Sequence, residues 1–273
     1  MRFCKMHGAG TDFVIISDME GALPDASLSP LAKKICARRT GLGADGMMVL
    51  RAAKHGGDFR MLFYNADGTS GEMCGNGARC VARYGYEHGL SGEQQRIETT
   101  AGLVTGERLD RSRYRIRLND PSVLELCRDA AACGSVWHCG YVELGDPGIP
   151  HALLEVDNWD EMDEEALRQL GCQLRHAAAF PKGANVTFWK EIAPGRLKVR
   201  TYERGVEDFT LACGTGCGSL AALLALSGRS QDQLTLECPG GMLEVELHVV
   251  GEQIRDIYLT GPTCVVAEGE FVE

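Results

Sequence analysis

The octapeptide "MCGNGARC", residues 73–80, sets a cysteine directly before Gly75, Asn76 and Gly77, and "ACGTGCGS", residues 212–219, sets Cys213 before Gly214, Thr215 and Gly216 in the same way. Cys74 and Cys213 lie 139 residues apart (213 − 74), and the surrounding sequence agrees at nearly that spacing. "GADGMMVL" from Gly43 resembles "GANVTFW" from Gly183, and "IETTAGLV" from Ile97 parallels "LECPGGML" from Leu236. Self-similarity at one fixed offset marks a duplicated unit.

Outward from each loop the halves share one order of elements. Short runs rich in branched or aromatic residues predict strands over 13–16, 47–50 and 60–64, and again over 152–156, 186–189 and 197–202. After each Cys-Gly-x-Gly, the stretches "ARCVARYGYEHG" and "CGSLAALLALSG" space their apolar residues as one helix that stops at glycine. The expectation is a duplicated unit of two similar lobes, each wrapping strands about a helix, with a join near "LNDPSVLE" around Asp120. Lobes facing each other across a pseudo-twofold axis would turn both cysteines into one cleft.

A helix N-terminus offers backbone N–H groups and the positive end of the macrodipole, so it binds anions. The same field favours thiolate over thiol. Two such loops could hold a carboxylate on their amides with one sulfur on either side of its α-carbon, a two-base arrangement that inverts the centre. A single cysteine before a glycine turn reads as packing; recurrence at the same place in both halves points to chemistry. Cys74 to Cys80 and Cys213 to Cys217 lack the paired spacing of structural zinc sites, and neither loop is C-x-x-C, which disfavours metal and redox readings. "GLGADG" at Gly41 matches a dinucleotide fingerprint literally but leads into the strand-like "MMVL", so no dinucleotide site is expected. The seven lysines leave pyridoxal phosphate open.

At 273 residues, 44% apolar and 24% charged, the chain can fill two domains, and a net charge of −10 without Lys/Arg clusters argues against nucleic acid as a partner. The start has no apolar signal core, and the run "LAALLALSG" is too short to cross a bilayer, so no membrane association and a cytoplasmic location are expected. Twelve scattered cysteines then read as free thiols.

The motifs "KMHGAGTDF", "YNADGTSGEMCGNGARC", "GANV" and "YERGVEDFTLACGTG" together resemble the diaminopimelate epimerase family, over nearly the whole chain and in the right order. The resemblance implies an α+β fold of two pseudo-symmetric lobes, each a mixed sheet wound around a central helix, with the active site in the cleft between them. It implies an N-terminal lobe of residues 1–119, joined by a last strand at 263–273, and a C-terminal lobe of residues 120–262. It also implies a cofactor-independent isomerase that interconverts LL- and meso-diaminopimelate, with no metal, on a route to lysine and peptidoglycan, and a possible homodimer.

Carried over by position, Cys74 and Cys213 would be the catalytic acid/base pair, with Gly75, Asn76, Gly214 and Thr215 holding the reacting carboxylate. His151 and Glu203 would lie beside the reacting amino group; Thr11, Asn65, Asn185 and Arg204 would bind the rest of the substrate. Three positions depart from the family's pattern: Thr11 and Ile149 stand where Asn is usual, and Phe209 where an acidic residue commonly precedes Thr. They motivate an alternative, a related two-cysteine racemase of another amino acid such as histidine. A non-catalytic amino-acid binding module is the reading from a different class.

Overall fold

Strands that are apolar at every position must be covered on both faces, and that requirement shapes the first part of the chain. In the computed structural model, which describes residues 1–71, 73–159, 162–230 and 232–272, β1 (Arg2–Gly8) turns back as β2 (Thr11–Ser17). Glu72 of the first cysteine loop and Glu273, the end of the expected last strand, lie outside the described residues. The turn uses Ala9 and Gly10 with φ of 49° and 88°, the two-residue geometry that matches strand twist.

Helix α1 (Asp25–Cys36) carries the chain to β3 (Gly46–Ala52), parallel to β2 with Phe13 opposite Gly46. Val14, Ile16, Met47 and Val49 bury one face of this pair with Leu28, Ala32 and Ile35 of α1. Next come β4 (Phe59–Asn65), antiparallel to β3, and the short β5 (Ser70–Gly71). Helix α2 (Gly75–Glu87) then covers the other face: a Cβ on Gly77 would lie 1.8 Å from Met48 Cε and 3.3 Å from Phe13 Cζ. It leads to β6 (Gln94–Thr99), parallel to β4, and to the antiparallel β7 (Gly102–Arg108) and β8 (Arg113–Arg117). Burying each such Val, Ile, Phe or Met side chain stabilises by about 1.5–3 kcal/mol.

The same order recurs. A long hairpin, β9 (Pro121–Ala132) and β10 (Ser135–Leu144), leads to β11 (Ile149–Glu155), helix α3 (Glu164–Arg175) and β12 (Asn185–Ala193), which runs parallel to β11. β13 (Arg196–Glu203) and β14 (Asp208–Thr210) precede helix α4 (Gly214–Leu226), then β15 (Gln233–Cys238), parallel to β13, and β16 (Gly241–Val250). The starts of α1 and α3, and of α2 and α4, are both 139 residues apart (164 − 25; 214 − 75). The strand readings at 13–16, 47–50 and 60–64, and their counterparts at 152–156, 186–189 and 197–202, fall on β2, β3, β4, β11, β12 and β13. α1 and α3 are further elements, equivalent to each other. The fold is α+β with mixed sheets.

Contacts group the chain into two units, Met1–Arg117 with Thr260–Glu273, and Leu118–Leu259. The last strand, β17 (Gln253–Glu270), begins in the second unit and ends in the first, where it pairs with β1 from Thr263 opposite Gly8 to Glu270 opposite Arg2. Among the described residues, no helix is long and apolar enough to cross a membrane.

Gly8 ends β1 against the first turn of α2, and a Cβ there would lie 2.8 Å from the Asn76 carbonyl oxygen, a backbone atom that cannot swing aside. Gly8→Ala is expected to destabilise the protein by about 1–3 kcal/mol, the usual range for overpacking. Urea unfolding measures it; an unchanged midpoint would mean that β1 and α2 do not approach this closely.

Candidate active site

In the first unit Cys74 is the N-cap of α2: its backbone is extended (φ −129°, ψ 120°) and its carbonyl accepts the first helical bond from Ala78 N at 2.8 Å. The Cys74 side chain itself makes no cap hydrogen bond. The positive end of the helix dipole falls beside the half-buried thiol.

The turn is held from behind. Asn76, 2% exposed, donates from Nδ2 to Thr11 Oγ1 at 2.9 Å, and its Oδ1 accepts from Arg79 Nη2 at 2.8 Å. Arg79 is fully buried, and its other terminal nitrogen reaches Gly75 O at 3.4 Å. Thr11, Gly75, Asn76 and Cys74 are thus gathered at one helix start. Asn65 stands at the end of β4, where its Nδ2 donates to Thr69 Oγ1 at 2.9 Å. Arg79 was not among the residues singled out from sequence. Its signal in the sequence is a cation one turn into the helix, four residues before a second one, Arg83.

In the second unit Cys213 is the N-cap of α4, 8% exposed, with its carbonyl accepting from Cys217 N at 3.0 Å. Its Sγ lies 3.6 Å from Thr215 Oγ1, which lies 3.0 Å from His151 Nε2. Asn185 Nδ2 is 3.5 Å from the same ring nitrogen and donates to Pro150 O at 3.4 Å, while its Oδ1 accepts from Arg204 N at 2.8 Å. The Arg204 side chain is exposed and donates from Nη1 to Lys182 O at 3.1 Å. Cys213, Thr215, His151, Asn185 and the Arg204 backbone therefore form one chain of contacts, with half-buried Glu203 the next residue along β13. Beneath it, Thr187 and Thr201 meet at 3.1 Å, and a Cβ on Gly216 would come within 2.9 Å of Thr187 Oγ1.

His151 is wholly buried, and burial first, then the nearby Arg204 guanidinium, push its pKa down to about 3. The ring is neutral. It cannot supply a cation to its neighbours, and works instead as a hydrogen-bonding partner of Thr215. One rotation of the Thr215 hydroxyl lets it accept from a Cys213 thiol or donate to a Cys213 thiolate, so the contact suits both protonation states.

Of the departures noted in sequence, Phe209 has a packing explanation. Its ring lies edge-on to Phe188 at 6.1 Å and Tyr202 at 6.0 Å, with the Arg200 guanidinium 4.1 Å from its centroid. Phe209, one of the three departures that motivated another substrate, thus has its ring in the packing of its own unit. Ile149 is half-buried at the start of β11, opposite Leu144.

The sequence matches the family model described as diaminopimelate epimerase over residues 3–119 and 145–266. A relative from Methanocella arvoryzae named diaminopimelate epimerase is 35% identical, covering 99% of this chain and 96% of its own. A relative of the same name from Aquifex aeolicus is 35% identical, covering 100% and 98%. Among solved structures, a probable proline racemase from Agrobacterium radiobacter superposes with a TM-score of 0.75 at 18% identity, covering 99% of this chain and 92% of the other, which is a likeness of fold.

The buried neutral His151 has a consequence for stability. The unfolded imidazole takes up its proton near pH 6.5, whereas the folded one waits until about 3, so the unfolded state binds more protons between those values. This contribution is complete above pH 6.5 and is lost as pH falls toward 3, with a total on the order of 4 kcal/mol. In urea unfolding across that window, His151→Gln is expected to flatten the decline relative to the parent; identical slopes would mean that His151 is not held neutral.

Proposed function

The chain belongs to the diaminopimelate epimerase family, and on that premise we propose that it interconverts LL- and meso-2,6-diaminopimelate without a cofactor, with Cys74 and Cys213 as its acid/base pair. It is an isomerase. The observation that carries the residue assignment is the duplicated cysteine, set each time as the N-cap of a helix and 139 residues from the other (213 − 74).

One thiolate removes the α-proton and the other thiol delivers a proton to the opposite face, so the centre inverts and the two sulfurs exchange roles. Amides at Gly75, Asn76, Gly214 and Thr215 hold the α-carboxylate, and their fixed dipoles stabilise the negative charge that develops as the C–H bond breaks. Thr215 and neutral His151 orient Cys213, while Asn76, pinned by Thr11 and Arg79, orients the start of α2. Glu203 takes the substrate ammonium. Asn65, Asn185 and Arg204 take the distal end, where a guanidinium fork suits a carboxylate. The packing role of Phe209 removes one of the reasons for considering another side chain, which favours diaminopimelate over histidine. A cytoplasmic location and a homodimer go with this reading as parts of the proposal.

The test is α-proton exchange by NMR in deuterated buffer with reductant and no added cofactor, comparing LL-diaminopimelate with L-histidine and L-lysine. Exchange with diaminopimelate is expected; exchange confined to histidine would overturn the substrate. Cys74→Ser and Cys213→Ser are each expected to slow inversion by about 10²-fold or more, since a hydroxyl is too weak an acid to replace the thiol. Normal turnover in either variant would remove that cysteine from the mechanism. Arg204→Ala should lower diaminopimelate exchange far more than any residual exchange of L-lysine, which lacks the distal carboxylate, and an equal loss for both would count against its assigned role.

A further inference from the structure

The β9–β10 hairpin brings three different metal-ligating side chains together on the surface of the second unit. Asp129 and His138 are direct cross-strand partners, and His138 Nδ1 lies 2.6 Å from Asp129 Oδ1. Cys127, two residues before Asp129, sets its Sγ 4.0 Å from the same oxygen. All three donor atoms fall within 4.8 Å of one another, and all three residues are exposed.

The convergence has identifiable causes. The turn at Cys133 and Gly134, with φ of 50° and 74°, folds the strands into a two-residue hairpin and fixes the register that sets His138 against Asp129. Between the pairs Arg128–Cys139 and Glu125–Tyr141 the register shifts, so β9 has one more residue than β10 in this interval, and Leu126 and Cys127 are both exposed. Such a bulge re-aims a side chain. Arg128, the cation nearest in sequence, points away: its guanidinium lies 3.6 Å from the centroid of the buried Tyr141 ring and is bonded to Glu125. The trio is therefore one thiol, one imidazole and one carboxylate, with open solvent on the remaining side.

We propose that Cys127, Asp129 and His138 bind a divalent transition metal of the zinc class, with water completing the coordination. Sulfur, nitrogen and oxygen donors in this number suit tetrahedral zinc with one open position. At the bond lengths usual for such sites, the ligand atoms of a tetrahedron lie about 3.3–3.8 Å apart. Side-chain rotations at an exposed strand surface cover the difference from the present spacing. On binding, the thiol proton is released to solvent, and the His138–Asp129 hydrogen bond opens as each donor turns to the metal. The site lies outside both cysteine loops and does not depend on the reaction assigned to them.

The full chain, reduced and stripped of metal, is titrated with cobalt(II) and then with zinc(II). The expected result is one equivalent of cobalt(II) with a thiolate-to-metal charge-transfer band that zinc(II) abolishes by displacement. Cys127→Ala should lose the band, His138→Ala should weaken binding at least tenfold, and Cys264→Ala, which removes another exposed thiol, should leave both unchanged. No band in the parent protein, or an undiminished band in Cys127→Ala, would overturn the proposal.

Discussion

The Cys74 and Cys213 side chains make no capping hydrogen bond at the starts of α2 and α4, so the positive end of each helix dipole falls beside a thiol. A Ser, Thr, Asp or Asn at the N-cap commonly contributes about 0.5–2 kcal/mol, a stabilisation that cysteine does not supply. Close packing makes the arrangement tolerable on one side: Gly77 lies against Met48 and Gly216 against Thr187, so neither turn has room there for a larger residue. Glycine is set by the fold at both turns, each with a cysteine at the N-cap before it.

The two halves share this device and differ in its support. Arg79 anchors the start of α2, whereas the equivalent position 139 residues on is Gly218, where even a Cβ would lie 2.6 Å from Leu118. Behind Cys74 the polar network runs through Asn76, Thr11 and a buried cation; beside Cys213 it runs through a threonine hydroxyl and a neutral imidazole. The two thiols therefore sit in chemically different surroundings.

The cysteine loops and their helices were legible because Cys-Gly-x-Gly recurs at a constant offset and each following apolar run stops at glycine. The paired strands were legible where both faces are buried, as in Met47 to Leu50. Helix α1 was harder to see because Pro24 and Pro30 look like breaks, and α3 because its apolar stripe is only Leu167, Leu170 and Leu174 among polar residues. Long-range contacts left no local trace: His151 reaches Thr215 across 64 residues. Phe209 misled because an unusual residue near a site reads as a specificity change, whereas ring distances assign it to packing.

The last strand has a consequence for how the protein is made. The second unit is one continuous stretch, Leu118–Leu259, so a nascent chain holds all of it before the remaining residues have been synthesised. The first unit is different, because β1 has β17 as a neighbour and Met1 N donates to Phe271 O at 2.8 Å. Its edge along β1 stays unpaired by β17 until residues 263–270 have been made, although most of the unit's sequence emerges first. The usual N-terminal-first order of folding on the ribosome is thereby reversed for completion, and during synthesis β1 is the exposed edge a chaperone would have to shield.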